Sequence, residues 1–235
     1  MMILLATGNN MIAKIPTDGR DLIKMMHDKY NNNFFKTLSF SQYLIRFENN
    51  KEISREVMHE AYLAPGKLIL KFNGWESGDG LLFRSDSIYT LDEGVIRSKE
   101  RRIHDVLLLC FDIYNTSPEV TISKLIKLNY NLDKIQKIKY SDKDVFVVGD
   151  TDENCFWIDC ESLMLLELQV RNINRARNVK LSNFQIFNSI PIATEIEFFD
   201  NNKNLEMVEK YFNVVPFAKL DASMFSPGNF IKSKW

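Results

Sequence analysis

The stretch between residues 65 and 97 constrains the fold most, because turn signals divide it into short segments of alternating hydrophobicity. In the first segment Leu68, Leu70 and Phe72 share one face, and polar residues occupy the other. The turns fall at Pro65-Gly66, Gly78-Asp79-Gly80, Ser85-Asp86 and Asp92-Glu93-Gly94. Alternation with a period of two between such turns predicts antiparallel hairpins. We therefore expect a sheet whose function lies on one of its faces.

Two helices interrupt this strand-rich pattern. Thr17 and Asp18 predict a helix start, and the asparagines at 31–33 end the helix. A second helix follows the capping-box pattern that begins at Thr116. Residues 104–111 fit either a strand or a helical turn, and about eleven strands account for the rest. The predicted fold class is mainly β (α+β), a single curved antiparallel sheet with an N-terminal helix and a mid-chain helix.

Composition limits the domain organisation and the partners. The 235 residues are 45% hydrophobic, which is enough to bury a substantial core. No linker or repeat divides the chain, so we expect one domain over residues 17–235. Residues 1–16 contain a short apolar run that we interpret as a poorly ordered leader or signal remnant. Thirty basic and 31 acidic residues nearly cancel, so no overall field favours nucleic acid.

The sequence contains no familiar catalytic or cofactor motif: it lacks the nucleophile elbow, the phosphate-binding loop, the dinucleotide-binding glycines and the zinc-protease helix. His59 and Glu60 are neighbours in a strand pattern, which directs them to opposite faces. Three scattered histidines and three cysteines without a Cys-x-x-Cys motif predict no metal site. We therefore predict a non-enzymatic protein that uses no cofactor and no metal.

Two features leave alternatives open. If the helices only partly fill the apolar face of the sheet, an apolar cleft of lipid size results, whereas complete filling makes that face an ordinary core. Two basic clusters, at residues 97–102 and 171–180, are either solvated strand ends or docking sites for a partner.

A series of short motifs runs in order along most of the chain, from residue 18 to residue 235. The motifs are MHDKY at 26–30, KTLSFSQ at 36–42, APGKL at 64–68, GLLFRSDSIY at 80–89, HDVLLLCFDIY at 104–114, VFVVG at 145–149, FWID at 156–159, NVVP at 213–216 and MFSP at 224–227. In this order they resemble the outer-membrane lipoprotein-sorting (LolA-like) family, in the version common in Bacteroidetes-type bacteria.

The resemblance implies a half-open β-barrel of about eleven antiparallel strands around helices that act as a plug or lid. Members of the family bind acyl chains and typically carry lipoproteins across the periplasm. For this chain it implies a monomeric periplasmic carrier whose partners are acyl chains of lipoproteins or lipids, together with membrane-bound donor and acceptor proteins. The alternative is a cell-envelope interaction or stress-sensing module with a closed interior.

The resemblance and the strand phase together assign residues to an apolar cleft. The expected lid residues are Leu107, Leu108 and Phe111. The expected wall residues are Leu38, Phe40, Leu68, Leu70, Phe72, Ile196 and Phe198. The basic clusters supply the expected partner-docking residues, which are Arg101, Arg102, Arg175 and Arg177.

Overall fold

The computed structural model describes residues 15–171 and 176–235, which contain three α-helices and thirteen strands. The helices are α1 (Gly19–Tyr30), α2 (Asp105–Cys110) and α3 (Pro118–Lys127), with short 3-10 helices at Asp112–Tyr114, Ala222–Phe225 and Pro227–Asn229. The strands are β1 (Thr37–Glu48), β2 (Lys51–Leu63), β3 (Lys67–Lys71), β4 (Gly80–Arg84), β5 (Ser87–Asp92), β6 (Val95–Arg101), β7 (Ile135–Tyr140), β8 (Lys143–Gly149), β9 (Cys155–Asp159), β10 (Leu165–Val170), β11 (Arg177–Phe187), β12 (Ile190–Phe199) and β13 (Leu205–Pro216). Most of the expected leader at residues 1–16 lies outside the described residues.

All thirteen strands belong to one antiparallel sheet, in the order β6-β5-β4-β3-β2-β1-β13-β12-β11-β10-β9-β8-β7. The chain runs from the centre to one edge, crosses over, and returns from the other edge, so β1 pairs with β13. The edge strands β6 and β7 do not pair with each other, and the sheet stays open. Residues 102–134, which carry α2 and α3, connect these two edges across one face.

The prediction of a single antiparallel sheet with an N-terminal and a mid-chain helix is confirmed. The strand count is thirteen rather than about eleven, and β7 is the clearest omission. Its sequence, IQKIKY, is lysine-rich and breaks strict alternation, as an edge strand is free to do. Residues 105–110, in the segment that fits either strand or helix, form α2.

Helix α1 begins where the sequence predicts. The carboxylate Oδ1 of Asp18 accepts a hydrogen bond from the backbone N–H of Asp21 at 2.7 Å. The apolar stripe of Leu22, Ile23 and Met26 is then completely buried. This burial, rather than intrinsic propensity, holds a helix of only three turns in place.

Both faces of the sheet carry apolar layers. We call the face covered by α1, α2 and α3 the inner face, and its side chains form the largest core cluster, with Leu38 and Tyr62 completely buried. The outer face carries a smaller cluster around Ile69 and Leu82. There the C-terminal residues Phe225 and Phe230 pack as the cover.

Candidate ligand site between the helices and the inner face

The helical segment over the inner face is anchored by one buried carboxylate. Asp112 Oδ1 accepts hydrogen bonds from the Tyr62 hydroxyl at 2.7 Å and the Gly66 N–H at 2.8 Å. Burial raises the pKa of Asp112, and these two hydrogen bonds oppose that rise. The Thr116 hydroxyl donates to the Asp112 carbonyl, and Ser117 occupies the N-cap position of α3 without a side-chain capping hydrogen bond, so Thr116 does not cap the helix as the pattern predicts. Asp112 therefore ties the cover to β2 and to the turn after it.

The expected lid residues lie in this cover. Leu107 and Leu108 belong to α2 and are almost completely buried in the inner core. Phe111 follows α2, is half-buried, and stacks near Phe35 and Tyr62 with ring centroids 5.9 and 5.2 Å away. The geometry thus places all three side chains between the cover and the sheet.

Most of the expected wall residues also face the helices. Leu38 and Phe40 are buried in the inner core, and Leu68 and Leu70 pack against it while half-exposed. Phe72 differs, because β3 ends at Lys71 and Phe72 is not among the side chains that pack in this core. The alternating pattern therefore extended the predicted inward face to Phe72, which lies just beyond the end of β3.

The two expected wall residues on β12 take different positions. Ile196 lines an internal apolar cavity beside Phe111. Phe198 is buried in the same core, with the Arg177 guanidinium 5.9 Å from its ring centroid. Ile196 thus reaches the cavity, and Phe198 lies against a charged neighbour.

The internal cavity is small in this structure, with a volume of about 30 Å³. Its walls are apolar and aromatic, and they include Phe34, Phe35, Cys110, Phe111, Tyr114, Leu181, Ile192, Ala193, Ile196 and Tyr211. A water molecule needs about 10–15 Å³ of such space, whereas drug-sized ligands occupy clefts of about 300–1,000 Å³. The helices therefore fill the inner face here, and a ligand enters only if the cover moves.

An aromatic cluster that the sequence analysis missed closes one end of the cavity. The rings of Phe34 and Tyr114 lie 4.3 Å apart, and those of Tyr30 and Tyr114 lie 5.3 Å apart. The Tyr114 hydroxyl donates to the Leu163 carbonyl at 2.9 Å. The adjacent phenylalanines at the end of α1 were the available signal, because two aromatic residues in a short connection seldom point to solvent.

Three of the four expected docking arginines converge. Arg101, Arg102 and Arg177 line a polar pocket of about 580 Å³ at the start of α2 and the end of α3. Arg177 forms an ion pair with Asp105 at 2.6 Å. Arg175 lies outside the described residues.

A polar cluster on the inner face was also missed. Gln42 on β1, Glu60 on β2, and Glu209 and Tyr211 on β13 project to the same side as the apolar core. The available signal was a polar residue at an inward position of each strand, for example Glu60 between Met58 and Tyr62.

Neither a metal centre nor a membrane-spanning helix is present in the described part of the chain. No group of three or more metal-ligating side chains gathers among residues 15–171 and 176–235. No helix in these ranges is long and apolar enough to cross a bilayer. Cys110, Cys155 and Cys160 are unpaired thiols, of which Cys155 is buried.

Comparison with known proteins gives a likeness of fold only. No family model matches the sequence, and no curated protein matches it. A putative outer membrane lipoprotein-sorting protein domain from Vibrio parahaemolyticus aligns over 92% of this chain and 98% of its own, with a TM-score of 0.62 and 13% identity. A DUF1329 family protein from Desulfovibrio piger aligns over 88% and 95%, with a TM-score of 0.58 and 14% identity.

A third structure, a LolA superfamily protein from Nitrosomonas europaea, aligns over 87% of this chain and 97% of its own, with a TM-score of 0.55 and 12% identity. All three alignments cover most of both chains, so the likeness extends over the whole fold and not over one part of it. The chain therefore has a LolA-like fold, as the motif series implied.

Proposed function

We propose that this protein is a non-enzymatic carrier or binder of acyl chains, which it holds between the inner face and the helical cover. The observation that carries this proposal is the apolar cavity beneath the segment that joins the two sheet edges. No pairing between sheet strands has to break for the middle of that segment to move: Asp112 ties it to Tyr62 and Gly66, and backbone hydrogen bonds hold its ends. The LolA-like fold supports the same function.

Hydrophobic burial supplies enough free energy for such binding. Each buried CH₂ group contributes about 0.8 kcal/mol, so a chain of a dozen carbons offsets a substantial opening penalty. Such binding needs no specific chemistry. We further propose that the protein works as a monomer in the periplasm, between membrane-bound donor and acceptor proteins, as the family resemblance implies.

Uptake of an acyl probe by delipidated protein tests this function. We expect bis-ANS and a fatty-acylated peptide to bind with micromolar affinity, the peptide displacing the dye. Ala193→Leu adds atoms to the cavity wall, and we expect it to weaken uptake about tenfold. Ala222→Leu makes the same change at an exposed site outside the cavity and serves as the matched control. Absence of uptake by the unmodified protein contradicts the proposal.

A second candidate function is docking of an anionic partner in the polar pocket. Its support is the convergence of Arg101, Arg102 and Arg177 around about 580 Å³ of space. Arg101 is exposed, so Arg101→Glu changes the charge with little effect on folding. Loss of partner capture with unchanged acyl uptake supports docking as a separate activity, whereas unchanged capture contradicts it.

A further inference from the structure

The polar cluster of Gln42, Glu60, Glu209 and Tyr211 interrupts the apolar inner face at its centre. Glu60 lies opposite Phe40 and Leu70 in the sheet register. Glu209 lies opposite Leu44 on one side and Ile196 on the other. Because these neighbours on β1, β3 and β12 are all apolar, the two carboxyl groups are costly to bury. Buried carboxyl groups of this kind persist where they have a partner or a function.

Neither carboxyl group has a cationic partner within the described part of the chain. Glu60 is only 4% exposed and forms no ion pair there. Glu209 accepts a hydrogen bond from the Tyr211 hydroxyl at 3.3 Å, and the Gln42 side chain also contacts it. Arg177, whose charge acts on Glu209, forms its ion pair with Asp105 instead, at 2.6 Å. The cluster therefore has negative charge that no ion pair neutralises among the described residues.

The protonation of the pair follows from this burial. Burial, and then the neighbouring Glu209, raise the pKa of Glu60 well above its usual range. Burial raises the pKa of Glu209 to about 7, against the opposing effects of Tyr211, Arg177 and Gln42. At pH 8, one unit above its pKa of about 7, Glu209 is mostly ionised, whereas Glu60 holds its proton more readily than an ordinary glutamate.

The hydrogen-bonding groups of the cluster are also unbalanced. The Gln42 side chain is completely buried, and its Oε1 atom has no hydrogen-bond partner among the described residues. The carboxyl oxygens add further acceptors, whereas the donors are the Tyr211 hydroxyl, the Gln42 amide and one carboxyl proton. A complementary ligand group is therefore rich in N–H donors, carries one positive charge and has no acceptor. An ammonium group has these properties.

Tyr211 connects the cluster to the cavity. Its ring lines the cavity together with Ile196 and Cys110, and it lies 4.2 Å from the ring of Phe40. Its hydroxyl reaches Glu209. An apolar chain in the cavity would thus end at the two carboxyl groups.

We propose that Glu60, Glu209 and Gln42 bind the ammonium end of an amine-bearing alkyl or acyl chain that occupies the inner cavity. The proposal rests on the proposed function, since it assigns the polar end of the same ligand. Glu209 supplies the negative charge, and the Gln42 Oε1 atom and the Glu60 carboxyl oxygens accept hydrogen bonds from the ammonium group. The ligand class is a single apolar chain with a primary amine.

Three probes of equal chain length separate headgroup recognition from chain binding: decylammonium, decanol and decanoate, titrated at pH 8 by calorimetry. We expect the unmodified protein to bind decylammonium about tenfold more tightly than decanol, and decanoate most weakly. In the double variant Glu60→Gln with Glu209→Gln, decanol binding should persist while the preference for decylammonium disappears. Persistent decanol binding also shows that the variant is folded.

Glu197→Gln on β12 is the matched control, because Glu197 lies opposite Val208 on the outer face and its loss should leave the preference unchanged. Acidification from pH 8 to pH 6 should weaken decylammonium binding as Glu209 takes up a proton. The groups that face Glu209 are Glu60, Tyr211, Cys110 and Arg177, and Glu209→Gln should remove the pH dependence.

The outcomes distinguish this inference from the function on which it rests. Equal affinity for decylammonium and decanol, or a preference that survives in the double variant, overturns the ammonium site alone. Failure of all three probes to bind overturns both the site and acyl binding.

Discussion

The two faces of this sheet bury apolar side chains in different ways. On the outer face, the C-terminal segment covers Ile69 and Leu82 with Phe230, which is completely buried. The buried Lys71 there donates to the Trp75 and Ile231 carbonyls at 2.8 and 3.0 Å. On the inner face Gln42 is as deeply buried, but its Oε1 atom has no hydrogen-bond partner among the described residues, and the buried Glu60 forms no ion pair there. The outer layer is arranged for stability, whereas the inner layer keeps unmet polar groups beside a cavity.

The largest expected effect is a loss of stability when the packing of the outer layer is disrupted. Phe230→Ala removes a completely buried ring, and we expect the free energy of unfolding in urea to fall by about 3–5 kcal/mol. Decanol affinity of the folded protein should not change, because Phe230 is remote from the inner cavity. Phe217→Ala removes a ring that is 49% exposed, and its effect should stay within about 0.5 kcal/mol. Equal losses of stability in the two variants would contradict our assignment of the C-terminal segment as the cover of the outer face.

The next effect loosens the inner cover. Asp112→Ala leaves the Tyr62 hydroxyl and the Gly66 N–H without their acceptor, which should lower the free energy of unfolding by about 2–4 kcal/mol. The same change should speed the association of bis-ANS, measured by stopped-flow fluorescence, because the cover opens more readily. Tyr62→Phe removes only one of these hydrogen bonds and should have a smaller effect on both quantities. A slower association in Asp112→Ala argues against entry under this segment.

A third change enlarges the cavity directly. Phe111→Ala removes a half-buried ring from the cavity wall, at an expected loss of about 1–3 kcal/mol of stability. Acyl affinity should rise, because the ligand no longer has to displace that ring. Fluorescence titration measures this rise, and an unchanged or weaker affinity would place the ligand elsewhere.

The smallest expected effect is on the pH dependence of stability. Glu209 has a pKa of about 7 in the folded protein and a lower, ordinary value when unfolded, so the folded state binds more protons between about pH 4.5 and 7. The contribution of Glu209 to the free energy of unfolding is therefore fully present below about pH 4.5 and is lost as the pH rises through about 7. The free energy of unfolding, measured by urea titration, should fall more steeply with pH in the unmodified protein than in Glu209→Gln over this range, by at most about 1.4 kcal/mol per pH unit. Identical slopes contradict a shifted Glu209.

The sequence predicts the architecture of the sheet better than it predicts the site. Period-two alternation and turn residues identify most strands, because backbone pairing depends on local pattern. The same alternation identifies Leu38, Phe40, Leu68 and Leu70 as inward residues. It cannot show how tightly α2 packs on them, since cavity volume depends on the fit of side chains that are distant in sequence.

The polar cluster shows the same limit. Gln42, Glu60 and Glu209 come from three strands, and only the order β2-β1-β13 brings them together. That order pairs the first strand of the chain with the last, which no local pattern specifies. Phe72 shows the opposite failure: the alternating pattern is regular there, but β3 ends one residue earlier, at Lys71.

Photo-crosslinking with a fatty acid that carries a terminal diazirine tests most directly whether the inner face, and not the outer one, binds acyl chains. After irradiation of the delipidated protein and digestion, mass spectrometry locates the labelled peptides. We expect label on peptides that contain Phe111, Ile196 or Tyr211, and competition by unlabelled fatty acid. Label confined to the C-terminal segment around Phe230, or label that unlabelled fatty acid does not reduce, would contradict it.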